Sequence, residues 1–538
     1  MRMTEMVPTA PLQVQRSVRR DRGRVLTSAD AGKILPIKYI PMLREDAVRR
    51  GKVRLNFEMM ETAEMLMNGI NVHVYAHYVP MLAFDRFNGS MDELNKSYQK
   101  ENGIGGSVIP YFNTISNAST LDTTDPSRTF LQTMGIHTQA SNFNSTVVEA
   151  YNCIVNYRRK ARSVSLAQRQ PTDFTLAEAF WGMENNHIVP DFDQKLVDGE
   201  VSLAGLTFQA PIVSPLYAQL DADQVTRDAS NTTHTQAKYA PVVSTNVGTR
   251  DDKLLFSDMY AELTSGGNAT MSLADIDQAK KTAAFAKLRS MYDGIDDEHI
   301  IDLLMEGIRV PEEQMKQPIL LSKASTMIGY NQRYATDAAN LDTSVTNGYA
   351  SVDLTLRTPQ MNTGGVILIT AEIVPEQMWE RKKDYYLYES DPDNLPNYLR
   401  DYLDPEKVSV VKNDHLDVNH STPNGTFGYA PLNHEYMRDM VNIGGKYYRP
   451  ADDAFDEDRA KIWTAESQDP TLSDSFYLVD SLHKKVFSDQ NADAFEITCL
   501  SDVEITGNTV FGERLLEADA TSDYEAITDL VDDARIEK

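Results

Sequence analysis

Apolar and polar residues alternate along several segments that lie far apart in this chain. Residues 53–59 read Val-Arg-Leu-Asn-Phe-Glu-Met, and residues 70–78 repeat the alternation before Pro80. A period of two places alternate side chains on opposite faces of a β-strand, so each segment predicts a strand with one solvated face. Further predicted strands are residues 351–356, 366–374, 495–499 and 503–506. Strands must therefore pair across more than four hundred residues, and the chain is predicted to be mainly β.

Helical patterns are fewer and shorter than strand patterns. Val147, Tyr151, Ile154 and Val155 recur at helical spacing. Residues 296–307 begin with three acidic residues and end at Gly307, which also predicts a helix. The long polar stretch 221–268 is rich in turn residues and is expected to be a surface insertion.

Length and composition limit the classes of protein to consider. At 538 residues, both one large domain and two domains remain open, and 41% hydrophobic residues suffice for a sizeable core. The longest apolar run, residues 365–371, is far shorter than the roughly 20 residues of a membrane span. The N-terminus lacks the apolar core of a secretory signal, so folding in a cytoplasm is expected. Only Cys153 and Cys499 are present, so at most one disulfide could form, and a reducing compartment would leave both as buried thiols.

Charge is unevenly distributed along the chain. The net charge of -27 argues against wholesale coating of nucleic acid. Residues 1–29 are nevertheless predicted to form a basic arm, and residues 512–538 an acidic tail. The arginines of the arm that are predicted to bind nucleic-acid phosphates are Arg16, Arg19, Arg20, Arg22 and Arg24. The alternative is a merely solvated terminus. A second basic cluster, residues 158–162, is expected to stabilise a helix C-terminus or to bridge subunits.

Motifs for catalysis or metal binding are weak. Residues 103–108 lack the last glycine of a dinucleotide-binding loop. His73 and His77 are four residues apart but fall within a predicted strand, which favours satisfied sheet histidines over a metal site. Residues 414–420 contain possible metal ligands, yet a turn rich in side-chain hydrogen bonds is the favoured interpretation. We predict that the chain is not an enzyme and that it has no cofactor and no metal site.

Several segments, in order, resemble the major capsid protein of microviruses, which are small tailless icosahedral phages with single-stranded DNA. The first is residues 30–36 followed by the strands ending at His73-Val-Tyr-Ala-His-Tyr-Val-Pro80. Residues 150–157, Ala-Tyr-Asn-Cys-Ile-Val-Asn-Tyr, are similar to a family helix. The remaining similar segments are residues 311–322, 373–386 and 427–438. The resemblance is collinear from about residue 30 to 510.

The resemblance implies an eight-stranded viral jelly roll, an antiparallel β-sandwich or barrel, with long loop insertions and a few short helices. It implies self-assembly through pentamers into a T=1 icosahedral shell around a circular single-stranded DNA genome. The implied partners are further copies of the chain, the genome on the inner face, a small basic DNA-packaging protein and a minor pilot protein. The implied location is the virion, assembled in the host bacterial cytoplasm without membrane insertion.

On this interpretation the chain has five parts. A basic arm (1–29) precedes the first jelly-roll part (30–220), and a surface insertion (221–280) separates it from the second (281–511). The acidic tail (512–538) matches nothing in the family. Two other functions remain open: a phage spike or receptor-binding protein, and a carbohydrate-active jelly-roll enzyme, which would need a cleft with paired carboxylates.

Overall fold

The computed structural model describes the chain in segments. The described residues are 16–62, 66–116, 128–136, 142–163, 166–181, 188–189, 315–334, 344–392, 395–397, 399, 401, 408–437, 440–448, 461–464, 469–479 and 482–509. The chain divides into two compact units, Met1–Phe192 with Ile308–Lys538, and Asp193–Gly307. All described residues belong to the first unit. The predicted insertion (221–280), the predicted helix 296–307 and the acidic tail lie outside the described residues.

The described part of the chain is mainly β, and its sheets are antiparallel. The strands are β1 Ser17–Ala29, β2 Lys33–Met42, β3 Ala47–Thr62, β4 Ile70–Pro80, β5 Thr114–Ser116, β6 Asn142–Asn144, β7 Ala177–Glu178, β8 Ile319–Met327, β9 Gly329–Tyr334, β10 Ser344–Leu356, β11 Gly365–Pro375, β12 Val408–Lys412, β13 Thr426–Pro431 and β14 Phe495–Gly507. Sheet A has the order β1-β14-β3-β10-β9, and sheet B the order β7-β2-β11-β4-β8. Two further pairs are β12 with β13 and β5 with β6.

Helices occupy the connections between strands. They are α1 Met91–Gln99, α2 Arg128–Thr133, α3 Thr146–Arg162, α4 Tyr385–Tyr388, α5 Asn413–Leu416 and α6 Asp474–Tyr477, with 3-10 turns at Met81–Ala83, Asp85–Phe87, His434–Tyr436 and Gly445–Tyr447. The longest of the described helices, α3, carries Glu149 in its first turn and basic residues in its last. This charge arrangement complements the helix dipole. None of the helices in these segments is long and apolar enough to span a membrane.

The two large sheets share one hydrophobic core. Leu55 and Phe57 of β3 face Ile367 and Ile369 of β11 within it, together with Phe495 of β14. The alternate residues of β11 belong to a second core beneath α3, where Leu368 and Val374 join Tyr151. All eleven residues of β11 are consequently buried. The central strand of sheet B is thus covered on both faces, and sheet A has one face in the shared core.

Most strands predicted from the sequence are confirmed. Residues 53–59 lie in β3, residues 70–78 in β4 and residues 351–356 in β10. Residues 366–374 lie in β11, and the two segments predicted near the C-terminus form one continuous strand, β14. The helical spacing at 147–155 belongs to α3. The predicted basic arm requires a correction, because its residues 17–29 form strand β1 of sheet A. The rest of the arm, apart from Arg16, lies outside the described residues.

Candidate nucleic-acid interface

The arginines predicted to bind phosphates alternate along β1. Arg20, Arg22 and Arg24 are exposed, together with Val18 and Leu26, on the face turned away from the core. Arg16 is exposed immediately before the strand. Four of the five predicted residues are therefore accessible, and three of them share the outer face of sheet A.

Arg19 requires a correction, because it points to the opposite face of β1. Its guanidinium donates to Asp46 Oδ2 at 2.6 Å and to the Pro41 carbonyl at 2.7 Å, and the Asp46 side chain is only 1% exposed. The next inward residue, Asp21, forms an ion pair with Lys38 at 2.6 Å. These ion pairs occupy the inner side of the first half of β1, whereas Val25 and Ala29 of the second half contact the core. The polar inner side of the first half is the physical reason why this part of the strand has no apolar period in the sequence.

Strand β3 adds a second row of basic residues to the same face. The exposed residues of its first half are Arg49, Arg50, Lys52 and Arg54. Both β1 and β3 pair with β14, so the two basic rows flank one central strand. The alternating sequence pattern of β3 identifies its polar positions but not their function. These basic residues lie near β1 only because β3 pairs with β14, a strand more than four hundred residues away in the sequence.

Carboxylates between the basic rows offset part of this charge. On β14, Asp502 accepts from Arg22 at 3.2 Å, and Glu504 lies 3.9 Å from Arg20 and 3.7 Å from Arg49. Asp353 of β10 accepts two bonds from Arg54, at 2.7 and 2.9 Å. This contact raises the pKa of Arg54 and lowers that of Asp353. Cross-strand pairs of opposite charge stabilise a sheet, which is the structural role of these residues.

Basic residues nevertheless remain in excess at this end of the sheet. Within the described part of the chain, no ion pair is formed by Arg16, Arg24, Arg50 or Lys52. The opposite end of the same face is acidic, with Glu58 and Glu496 aligned on adjacent strands. The outer face of sheet A therefore has a basic half, which we define as Arg20, Arg22, Arg24, Arg49, Arg50, Lys52 and Arg54. Clustered cations of this kind bind phosphates without reading base sequence.

A groove of about 570 Å³ follows the edge of the basic half. Residues 21–26 of β1 form one wall, and Lys38 and Tyr39 of β2 contribute to the opposite wall. The C-terminal end of α2, with residues 132–135, closes one side. A Cβ at Gly23 would meet the end of the flexible Lys38 side chain, which would have to move aside. The groove therefore combines a strand edge with cationic side chains.

The other sequence motifs form local structure. Residues 103–106 make a tight turn after α1, in which the Gly106 amide donates to the Gly103 carbonyl at 3.0 Å. In segment 414–420, Asp417 accepts from the Asn419 amide at 2.9 Å, and His420 accepts from the Thr422 amide at 3.0 Å. This agrees with the turn interpretation. The described ranges contain no cluster of three or more side chains that could hold a metal ion.

His73 and His77 lie in strand β4, as predicted, but they are not satisfied by hydrogen bonds at Nδ1 among the described residues. Burial lowers the pKa of His73, and it lowers that of His77 to about 4.

The second basic cluster lies in the last turns of α3, where Arg158 binds Glu372 and Arg159 binds Glu178 at 3.0 Å. Cys153 and Cys499 are free thiols, and burial raises their pKa to about 12 and about 11.

No protein-family model and no curated protein sequence matches this chain. The functional assignment therefore depends on the residues of the chain and on the geometry described above.

Proposed function

We propose that this chain is a major capsid protein of the microvirus type, which assembles into a T=1 icosahedral shell enclosing a circular single-stranded DNA genome. The observation that carries the proposal is the way the strands pass between the two antiparallel sheets. β2 is in sheet B, β3 in sheet A and β4 again in sheet B. Strands β8 and β9 are separated by Ile328 alone, yet β8 is in sheet B and β9 in sheet A.

This pattern supports the finer proposal of a viral jelly roll. A jelly roll winds antiparallel strands between two packed sheets and is used by capsid proteins. The chain passes between the sheets again after β10, which is in sheet A, because the next strand, β11, is in sheet B. Long connections, such as the one from β7 to β8, leave room for contacts between subunits. The collinear motifs of the microvirus family support the same assignment.

In the proposed shell, the basic half of sheet A contacts the genome. Its seven basic residues form a local excess of positive charge in a chain whose net charge is -27. The proposed partners are other copies of the chain, arranged as pentamers and a closed shell, together with a small basic DNA-packaging protein and a minor pilot protein. The proposed location is the virion, after assembly in a bacterial cytoplasm.

Particle analysis tests the shell. The chain is expressed together with its neighbouring genes and studied by sedimentation velocity and negative-stain imaging. We expect uniform small icosahedral particles in which this chain is the dominant protein. Discrete small oligomers that never close, with the chain as a minor virion component, would overturn the proposal and favour a spike or receptor-binding protein.

A binding titration tests the interaction with nucleic acid separately. Binding of the full chain to fluorescent oligothymidine is measured by anisotropy at several salt concentrations. The double variant Arg22→Ser/Arg24→Ser is expected to bind more weakly and to reduce the salt slope by about 0.7 for each phosphate that is no longer neutralised. The matched variant Lys100→Ser/Lys160→Ser removes the same charge at exposed sites outside the basic half. Equally weakened binding in the two variants would show that only net charge matters.

A further inference from the structure

Strand β1 lies at an edge of sheet A. Its single partner strand in the described segments is β14. The other side of β1 faces the groove of about 570 Å³, which residues 21–26 line continuously. An edge strand presents backbone amide and carbonyl groups that can pair with a further extended segment. The groove is therefore shaped to admit one more strand.

The side chains along this edge define the charge of an occupant. Arg22 and Arg24 project from alternate positions of β1, and both line the groove. Arg24 has no ion-pair partner among the described residues, and the Arg22 side chain is 62% exposed beside Asp502. Lys38 on the facing wall is neutralised by Asp21 at 2.6 Å. The edge consequently carries unbalanced positive charge and favours an acidic strand.

An acidic segment of the same chain begins close to this edge. In the register of β1 with β14, Gly507 is the partner of Ser17, at the start of β1. The Ser17 hydroxyl also donates to the Thr509 carbonyl, so the chain is still beside β1 at this point. Residues 512–538 then contain nine acidic and three basic residues. The distance from Ser17 to Arg22 along β1 is about 17 Å at roughly 3.3 Å per residue, well within the reach of this segment.

We propose that the acidic segment 512–538 docks in this groove as an additional strand along the free edge of β1, in the chain to which it belongs. A crossover to the far edge of a strand takes about a dozen residues, which places the pairing region beyond residue 520. Asp523 and Glu525 are two residues apart, as are Arg22 and Arg24. Alternate residues of neighbouring strands share a face, so these two acids match the two arginines.

Docking of this segment would place carboxylates where we propose that nucleic-acid phosphates bind. The segment then competes with a polyanion for the β1 arginines. The docking itself does not depend on the proposed capsid function, since it requires only the groove and the two charges.

Hydrogen–deuterium exchange of the full chain tests the docking. The variant Asp523→Asn/Glu525→Gln/Asp529→Asn is compared with the unmodified chain and with Glu513→Gln/Glu517→Gln/Asp519→Asn, which removes the same charge nearer to β14. Backbone amides of residues 21–26 are expected to exchange roughly tenfold faster in the first variant. The second variant should have a smaller effect. Identical exchange in all three chains would overturn the proposal, and so would equal acceleration in the two variants.

Zero-length crosslinking gives an independent test with the charge of the edge preserved. The variant Arg24→Lys provides an amine for carbodiimide coupling to a carboxylate, and Arg54→Lys is the matched control outside the groove. We expect links from position 24 to residues 523–529 and few from position 54. Mixed isotope-labelled and unlabelled chains are used, so that links within one chain are distinguished from links between chains. Links only between chains, or equal yields at the two positions, would overturn the proposal.

Discussion

The central strands of the two large sheets place their charged side chains in opposite environments. In sheet B, β11 is buried along its whole length, and its single acidic residue, Glu372, is paired with Arg158 of α3. In sheet A, β3 alternates between buried apolar residues and exposed charges. The one charge of β11 is therefore buried and dependent on Arg158, whereas the charges of β3 are numerous and solvated. The contribution of a charge to stability should differ accordingly between the sheets.

The polar cluster of sheet B illustrates this dependence. The Arg158 guanidinium lies 4.7 Å from the centre of the Tyr75 ring and 5.3 Å from that of Phe180. Burial alone would lower the pKa of Arg158, but Glu372 raises it overall. Thr370, beside Glu372 on the strand, is fully buried, and its hydroxyl lacks a partner in the described part of the chain. Little water can reach this cluster to replace a charged partner that is removed.

The largest expected effect comes from breaking this buried ion pair. Glu372→Ala leaves the Arg158 guanidinium buried without its counter-charge, and we expect the free energy of unfolding to fall by about 3–5 kcal/mol. Urea denaturation followed by circular dichroism measures it. The double variant Arg158→Met/Glu372→Leu is expected to recover most of this stability, because both charges are removed together. A double variant as unstable as the single variant would contradict this account of sheet B.

The second prediction compares the two faces of sheet A at neighbouring positions. Leu55 is fully buried in the core between the sheets, whereas Arg54 is exposed on the outer face. Leu55→Ala is expected to cost about 2–5 kcal/mol, because it removes buried apolar packing and leaves a cavity. Arg54→Ser should change the free energy of unfolding only slightly, because its ion pair with Asp353 is solvated. Similar destabilisation at both positions in urea denaturation would contradict the assignment of the faces.

This contrast also explains how much of the fold is predictable from the sequence. β3, β4 and β14 carry an alternating pattern, and β11 a continuous apolar run, so each is identified from local residues. β1 is missed because its inner positions carry Arg19 and Asp21, whose partners lie on other strands. Ion pairs formed through tertiary contacts leave no periodic signal in the sequence. Strand order has the same limitation, since it depends on contacts between distant segments.

The candidate site is predictable in part for the same reason. The arginines of β1 lie within a few residues of one another in the sequence, so they are identified together as candidate phosphate-binding residues. Arg49, Arg50, Lys52 and Arg54 join them only because β14 pairs with both β1 and β3. The separation of Arg19 from its neighbours follows from the alternation of a strand, which is not expected for an arm. Clustered charge in the sequence therefore identifies part of the candidate surface, and strand pairing defines its other members.

The third prediction concerns the pH dependence of sheet B. Burial lowers the pKa of His77 from 6.5 to about 4, with a further contribution from Arg158. The unfolded state then binds a proton more readily, so stability should fall as the pH drops from about 6.5 to about 4. The decrease is expected to be roughly 2–3 kcal/mol. His77→Gln should reduce this slope in urea denaturation series at several pH values. An unchanged slope would show that His77 is not the responsible group.

The smallest expected effect on stability comes from the outer face of β1, and it sharpens the distinction between structural and binding charges. Arg22→Ser removes one member of an exposed pair, so the free energy of unfolding should change by at most about 1 kcal/mol. Arg19→Ser leaves the buried Asp46 carboxylate without its cation, and it should be the more destabilising change. Binding to oligothymidine should show the reverse order, with the larger decrease at Arg22 because its guanidinium faces solvent. Urea denaturation and anisotropy titrations on the same two variants measure both quantities. If one variant had the larger effect on both stability and binding, the two arginines would not have the separate roles that their faces of β1 indicate.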